Sequence, residues 1–349
     1  MSAVANPRDP DRMAAELERF GDLVEDEAPT YSLICRELST DPALGRILEV
    51  ARAGQPLANV LLAAVHYLLL ADPGHRLATH YPSVVGAEVD PVGDLVEEFR
   101  SFCESHQDEL QELVATRTVQ TNEVRRCAAL LPAFADVARR TEQPLALIEL
   151  GASAGLNLLF DKYQYRYGGG AAVGPEHIGL LIETELRSGR LPKLEPLPEV
   201  VWRRGIDLRP IDVRDADAVR WLRALLWPTQ VERMERLDSA IAIAQQAPPG
   251  LIAADATQNL GQIVAGAPPT AALVVFHTFV MNQLSDEQRT SLHDQLTEFS
   301  RQREVHRIGI DMGSTVEHEI RYTRYGRRGS TEAVLGVTHH HGEWLAWTA

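Results

Sequence analysis

The chain has 349 residues, of which 45% are hydrophobic and 24% charged, and its formal net charge is -15 at pH 7. This length and apolar content predict a well-packed core, in one large domain with an appended one or in two modest domains. The acidic balance argues against a nucleic-acid partner, because binding to a phosphate backbone depends on clustered Lys and Arg.

The cysteines Cys35, Cys103 and Cys127 have no C-x-x-C spacing, so we expect neither a disulfide framework nor a zinc knuckle. The most apolar stretch, residues 57–70, is too short to cross a bilayer and predicts a buried helix, in which His66 is expected to be a satisfied core or interface histidine. The N-terminal residues lack the apolar core of a signal peptide. We therefore predict a cytoplasmic protein with no membrane partner, and the sequence leaves the oligomeric state open.

The first 142 residues are predicted to form an all-helical N-terminal domain that covers a ligand cleft. Its first segment places apolar residues on one face at helical spacing, at Met13, Leu17, Phe20 and Val24. Up to about residue 141 the sequence holds no strong strand candidate.

A polar cluster of Thr121, Asn122, Glu123 and Arg125 precedes the last helix of this region. Asn122 is a residue type that caps helix N-termini, which is the structural interpretation. The functional interpretation is that the cluster closes over the ligand and binds the substrate. Both stay open on the sequence alone.

The chain is organised around residues 145–157, LALIELGASAGLN. The apolar start predicts a parallel strand buried on both faces, and glycines follow at 151 and 155. Glycines at a strand-to-helix turn let the backbone fold sharply and approach a ligand, while the first amides of the helix are unpaired donors. This turn is therefore the predicted small-molecule site.

From here strands alternate with helices to the end of the chain. The pattern predicts an α/β domain over residues 143–349, with an open, mostly parallel sheet and an antiparallel pair at its edge. Residues 162–198 are predicted to be a hairpin-like insertion, with the segment YQYRYGGG as one strand and HIGLLIETELRSG as its partner.

Ligands of open parallel sheets bind at the carboxyl ends of the strands, near the point where strand order reverses. A carboxylate after the second strand can accept hydrogen bonds from two ribose hydroxyls. A polar residue after the third can face an adenine ring, and a base after the fourth can lie beside the reacting atom. The polar candidates in strand order are Glu149, Gly151, Ser153 and Gly155, then Asp207, then Asp255 with Ala256, then His277 with Thr278.

This ordered set resembles the class I S-adenosylmethionine-dependent methyltransferases over residues 143–349. The matching segments are ELGASAG, GIDLRP, ADAT and VVFHTF. Ser153 replaces the middle glycine of the first motif, and about 55 residues separate Gly151 from Asp207 where about twenty are usual. The resemblance implies a Rossmann-like fold with S-adenosylmethionine as cofactor, held by Glu149, Gly151, Ser153, Gly155, Asn157, Asp207, Asp255 and Ala256.

Over nearly its full length the chain also resembles an uncharacterised bacterial family of unknown function. The segments that carry this likeness are TNEVRR, ELGASAGLNLLFDKY, WRRGIDLRPIDV, LRALLWP and HGEWLAW. The likeness supports the domain layout and implies no reaction.

The predicted activity is transfer of a methyl group to an oxygen or nitrogen nucleophile of a small molecule, which depends chiefly on holding two reactants aligned. His277 is the candidate catalytic base, because imidazole titrates near neutral pH; its alternative role is a hydrogen bond that fixes the loop. A non-catalytic binding protein on the same scaffold is an alternative function, since fold does not establish function.

A serine hydrolase is the other alternative. Residues 151–155 also spell G-x-S-x-G, with Ser153 as nucleophile and Asp255 and His277 following in the order of a catalytic triad. The helical region upstream argues against it, because that fold places several strands before the nucleophile.

The run His339 to His341 is the remaining feature that suggests chemistry, because imidazole is a common metal ligand. Adjacent residues of a strand point to opposite faces, so at most His339 and His341 are expected to converge. We therefore predict no metal site here.

Overall fold

The computed structural model of the chain describes residues 9–86, 93–120, 122–176, 179–313 and 317–349. The α-helices are α1 (Pro10–Leu23), α2 (Pro29–Glu37), α3 (Pro42–Leu48), α4 (Leu57–Ala71), α5 (Pro82–Val85), α6 (Leu95–Ser105), α7 (Gln107–Thr116), α8 (Cys127–Thr141), α9 (Ala216–Ala224), α10 (Val231–Gln246), α11 (Ala256–Ala265) and α12 (Asp286–Ser300). The strands are β1 (Leu145–Leu150), β2 (Gln164–Tyr167), β3 (Leu181–Ser188), β4 (Val200–Asp207), β5 (Gly250–Ala253), β6 (Ala272–Thr278), β7 (Val305–Asp311), β8 (His318–Gly326), β9 (Gly329–Thr338) and β10 (Trp344–Trp347).

Two compact units divide the chain. A helical unit holds residues 1–121 and 215–235, and a sheet unit holds residues 122–214 and 236–349. Each unit has a hydrophobic core of its own.

The helical unit is built around α4, whose residues are buried almost all round, as the apolar run at 57–70 predicts. Local signals fix where neighbouring helices start. In α3, for example, proline occupies the first turn and the Asp41 carboxylate accepts a hydrogen bond from the amide of Ala43 at 2.8 Å. No helix in the described residues is long and apolar enough to cross a membrane.

Two helices do not belong to the units in which a single boundary at residue 142 would place them. Helix α8 belongs to the sheet unit, where the ring of Phe134 lies 4.6 Å from that of Phe160 and 5.2 Å from that of Phe276. Helix α9 belongs to the helical unit, where Trp221 packs 5.9 Å from the ring of Tyr67. Buried aromatic contacts, rather than chain order, decide both placements.

The sheet unit carries ten strands among its described residues, in the order β2-β3-β10-β9-β8-β7-β6-β1-β4-β5. The five neighbouring strands β7, β6, β1, β4 and β5 are parallel to one another, whereas β8 and β9 run antiparallel to their neighbours. The prediction of a mixed α/β fold with a mostly parallel sheet and antiparallel strands to one side is confirmed.

The insertion is not a hairpin. Strands β2 and β3 pair in parallel, with Gln164 opposite Leu181 and Tyr167 opposite Thr184. The antiparallel hairpin expected at 162–198 is therefore wrong, because the segment between the two strands brings the chain back before β3 begins. β3 also pairs with β10, so the insertion extends the sheet beyond the β9–β10 antiparallel pair.

His66 confirms the prediction of a satisfied core histidine. It is fully buried on α4, its Nδ1 lies 3.1 Å from the carbonyl oxygens of Ala224 and Leu226, and its Nε2 lies 2.8 Å from Ser83 Oγ. Burial lowers the pKa of His66 to about 4, against a partial rise from the two carbonyls.

We expect this histidine to make stability depend on pH. Its pKa is about 6.5 in the unfolded chain, so the unfolded state binds the proton first and stability falls as pH drops from about 6.5 to about 4, by up to about 3 kcal/mol. Urea unfolding at pH 7 and pH 4.5 should show a smaller loss for His66→Gln than for the wild type. The exposed His293→Gln serves as control. Equal losses in the wild type and His66→Gln would contradict the assignment.

Candidate functional site

The carboxyl ends of the parallel strands form the edge where the predicted site residues lie, and we call it the carboxyl edge. After the insertion that holds β2 and β3, the chain adds β4 and β5 on one side of β1 and then crosses to add β6 and β7 on the other side. Leu150 at the end of β1 is paired with Ile206 of β4 and His277 of β6. The strand order therefore reverses at β1, which is where ligands bind in open α/β sheets.

The turn after β1 needs left-handed backbone at three positions. The φ angles of Gly151, Ser153 and Gly155 are 64°, 52° and 72°. A Cβ on Gly151 would lie 2.6 Å from Val280 Cγ2, and one on Gly155 would lie 2.7 Å from Pro249 Cγ. Both glycines thus combine a backbone conformation that side chains disfavour with close packing against a neighbour.

A short 3-10 helix, Leu156–Lys162, follows this turn. Its first amide, of Leu156, donates to Asn122 Oδ1 at 3.1 Å. The sequence predicts unpaired amides at this point, and for Leu156 that expectation is wrong because a side chain from outside the turn accepts its hydrogen bond.

Asp207 joins the end of β4 to the glycine turn. Its Oδ2 accepts a hydrogen bond from the amide of Ser153 and its Oδ1 one from the amide of Arg209, both at 2.8 Å. The side chain is buried.

Glu149 is a buried carboxylic acid on β1 beneath the turn. Its Oε1 accepts a hydrogen bond from Asn157 Nδ2 at 3.2 Å, and its buried Oε2 has no hydrogen-bond partner among the described residues. Burial raises the pKa of Glu149 well above its usual value, and the nearby Asp207 adds to the rise while Asn157 and Arg126 oppose it. The structure therefore places Glu149, Asn157 and Asp207 close together.

Asp255 caps α11 at the carboxyl end of β5. Its Oδ1 accepts hydrogen bonds from the amide of Thr257 at 2.8 Å and from Thr257 Oγ1 at 2.7 Å, and its Oδ2 accepts from Gln258 Nε2 at 3.1 Å. Ala256 is half-buried at the first position of the helix. The carboxylate thus has a structural role at the position predicted to face an adenine ring.

His277 is fully buried at the end of β6 and lies beside an aspartate. Its Nδ1 is 3.4 Å from Asp311 Oδ1, and a Cβ on Gly309 would lie 2.7 Å from its Nε2. Burial raises the pKa of Asp311, but the neighbouring His277, the hydrogen bond from the amide of Met281 at 3.3 Å and Arg307 together outweigh it, so the pKa of Asp311 is lowered. The side chain of Asp311 is 20% exposed, so this pair meets solvent through the carboxylate.

Arg126, which the sequence analysis did not select, links several parts of this edge. Its Nε donates to the carbonyl oxygen of His340 at 2.8 Å, its Nη1 lies 3.3 Å from Thr278 Oγ1, and its guanidinium lies 4.4 Å from the ring of Phe279. It also opposes the rise in the pKa of Glu149, as a cation near that carboxyl does. Arg126 thus places a positive charge near the buried acid Glu149, where it offsets the effect of Asp207.

The polar cluster before α8 divides into different roles. Thr121 lies outside the described residues. Asn122 accepts a hydrogen bond at the start of the 3-10 helix that follows the glycine turn. The residue that caps the segment before α8 is Glu123, not Asn122, because its side chain accepts a hydrogen bond from the amide of Arg125 at 3.0 Å. Arg125 Nε donates to the carbonyl oxygen of Glu183 at 2.8 Å, in β3.

The histidine run lies in a turn between β9 and β10, not in a strand. Nitrogen ligand atoms of His339, His340 and His341 all lie within 4.8 Å of one another. The expectation that only His339 and His341 converge is wrong, because strand alternation does not apply to a turn.

Ser153 has the backbone of a strained turn but not the contacts of a nucleophile. Its Oγ is buried and has no hydrogen-bond partner within the described ranges. A serine nucleophile is activated by a base within hydrogen-bond reach, and this hydroxyl has none in the described structure.

The close packing at Gly155 predicts a large cost for a side chain there. Gly155→Ala should lower the free energy of unfolding by about 2–4 kcal/mol, since it combines left-handed strain with overlap against Pro249 and Leu251. Gly261→Ala is the control: this glycine lies in α11 with open space around its Cβ position, so alanine should stabilise by up to about 1 kcal/mol. Chemical denaturation of the two variants measures both effects, and equal costs would contradict the described packing.

Comparison with known proteins identifies the family but no activity. No curated protein and no solved structure matches the chain at a significant level. One family model, described as an uncharacterized protein conserved in bacteria (DUF2332), matches residues 14–347. The match spans nearly the whole chain, and the chain therefore belongs to this uncharacterised bacterial family.

Proposed function

We propose that the carboxyl edge binds S-adenosylmethionine and that the protein transfers its methyl group to an oxygen or nitrogen nucleophile of a small molecule. The observation that carries the proposal is the meeting of two buried acids, Glu149 and Asp207, at a left-handed glycine turn where strand order reverses. That arrangement agrees with the ordered motifs of the class I methyltransferases.

The residues present fit such a cofactor. Buried polar atoms without a partner among the described residues cluster at this edge, and orphaned buried groups call for an explanation such as a bound polar ligand. These atoms are Glu149 Oε2, Ser153 Oγ, His318 Nδ1 and both ring nitrogens of His277. In the proposal, Asp207 accepts hydrogen bonds from the ribose hydroxyls, and Glu149 Oε2 accepts a hydrogen bond from a cationic or hydroxyl donor. The turn from Gly151 to Gly155 supports the adenosyl group.

When bound, S-adenosylmethionine supplies an electrophilic methyl carbon on a sulfonium. The chain's own contribution is alignment of the acceptor and removal of its proton. Asp311 is the better-placed group to take that proton, because its carboxylate is partly exposed whereas His277 is enclosed. In this scheme the enclosed His277 packs against Asp311, with its Nδ1 3.4 Å from Asp311 Oδ1, and has a positioning role in place of the predicted role of base.

Ligand binding tests the proposal directly. Calorimetry with S-adenosylmethionine, or with its homocysteine product, should show binding at one site per chain. Asp207→Ala should weaken it by about 10–100-fold, because charge-assisted hydrogen bonds contribute about 1.5–3 kcal/mol. Asp294→Ala, an exposed aspartate on α12, is the matched control and should bind like the wild type.

The outcomes separate the alternative functions. No heat and no thermal shift with either ligand would overturn the proposal. Binding without a methylated product for any class of acceptor would favour the non-catalytic binding protein. Covalent labelling of Ser153 by a fluorophosphonate would favour the hydrolase.

Glu149 provides a second test, because stability and binding should change in opposite directions. Its raised pKa means that the wild type loses stability as pH rises above the unfolded value of about 4.3. Glu149→Gln lacks that loss and should be at least about 1 kcal/mol more stable than the wild type at pH 8, yet bind S-adenosylmethionine about 10-fold more weakly. Glu298→Gln, an exposed change on α12, should alter neither quantity. Unchanged affinity in Glu149→Gln would remove Glu149 from the site.

A further inference from the structure

The turn between β9 and β10 presents three imidazoles on one side of a constrained loop. The ring centroids of His339 and His340 lie 4.0 Å apart, those of His340 and His341 3.9 Å, and those of His339 and His341 5.7 Å. All three side chains are half-buried. Candidate ligand nitrogens, one from each ring, fall within 4.8 Å of one another.

Hydrogen bonds from the turn itself and from neighbouring segments hold it in shape. The amide of Gly342 donates to the carbonyl oxygen of His339 at 2.9 Å, and the carbonyl oxygen of Gly342 accepts from Thr184 Oγ1 at 3.0 Å. Arg126 Nε donates to the carbonyl oxygen of His340 at 2.8 Å, and Thr338 Oγ1 donates to that of Trp344 at 2.8 Å. The three rings are thus displayed by a preorganised backbone rather than by a free tail.

We propose that His339, His340 and His341 form a binding site for a divalent first-row transition-metal ion of the zinc and cobalt class. Neutral imidazole is a preferred ligand of these ions, with metal–nitrogen distances of about 2.0–2.1 Å. Two such ligands on a tetrahedral ion lie about 3.3 Å apart. The three candidate nitrogens, all within 4.8 Å of one another, would move closer together on binding an ion.

Two neighbouring side chains support this site. Glu343 Oε2 lies 3.7 Å from His339 Nδ1 and places a carboxylate beside the three rings. The same nitrogen accepts a hydrogen bond from the amide of His341 at 3.3 Å, which helps to fix the orientation of the His339 ring. His318 is 93% buried, its ring lies 6.0 Å from that of His340, and its Nδ1 has no hydrogen-bond partner among the described residues. The net charge of -15 also favours a cation, whereas Arg126 opposes it locally.

The number of protein ligands indicates the kind of site. Three histidines leave the fourth position of a tetrahedral ion open to water or to a substrate atom, which is the arrangement of reactive rather than structural zinc sites. The turn lies at the carboxyl edge, because Thr338 at the end of β9 is paired with His318 at the start of β8. The inference does not rest on the adenosyl cofactor, and its test uses the metal alone.

Titration of the full-length chain, free of any added histidine tag, with Zn²⁺ should show one ion bound per chain. His340→Ala should weaken binding at least 10-fold, and the triple change of His339, His340 and His341 to alanine at least 100-fold. His293→Ala removes an exposed imidazole on α12 and should bind Zn²⁺ like the wild type. Absence of binding heat in the wild type, or equal affinity in the triple variant, would overturn the site.

A second measurement needs no variant and so does not depend on the fold of the triple change. X-ray absorption of wild-type protein loaded with one equivalent of Zn²⁺ should give three imidazole nitrogens at about 2.0–2.1 Å. A spectrum with fewer than three imidazole ligands would overturn the assignment.

Discussion

The hydrogen bonds that the amides of Ser153 and Arg209 donate to the Asp207 carboxylate constrain the whole carboxyl edge. Through them a side chain at the end of β4 fixes the turn at the end of β1, although 54 residues separate Asp207 from Ser153. A buried carboxylate that accepts backbone hydrogen bonds satisfies donors that a sharp turn would otherwise leave unpaired. The left-handed conformation of Ser153, which is costly for a residue with a side chain, persists because this bond and the packing around Gly151 and Gly155 determine it.

Charge balance governs the rest of this edge. Glu149 and Asp207 are buried acids close enough for one to raise the pKa of the other, and Arg126 opposes that rise. The same arginine reaches Thr278 at the end of β6 and the carbonyl oxygen of His340 in the histidine turn. One guanidinium therefore joins the end of β6 to the histidine turn, because it offers five donors in a fixed fork.

The rule that ligands bind at the carboxyl ends of strands selected Glu149, Asp207 and His277, and the structure places all three at one edge. The same rule applied to the strand VHRIGID would have selected Asp311, which the sequence analysis passed over although it ends β7. Arg126 and His318 carry no such local signal. Their importance depends on which residues lie beside them after folding, and hydrophobic periodicity and turn residues do not encode that proximity.

By itself the sequence determined the elements whose causes are local. Apolar runs set the buried strands, Asp and Ser caps set the starts of α3 and α12, and glycines set the left-handed turn after β1. Only the tertiary structure decided the parallel pairing of β2 with β3, the placement of α8 and α9, and the convergence of the three histidines. The physical reason is that strand direction, helix docking and side-chain convergence are set by long-range packing and hydrogen bonding, which the same local pattern satisfies in more than one way.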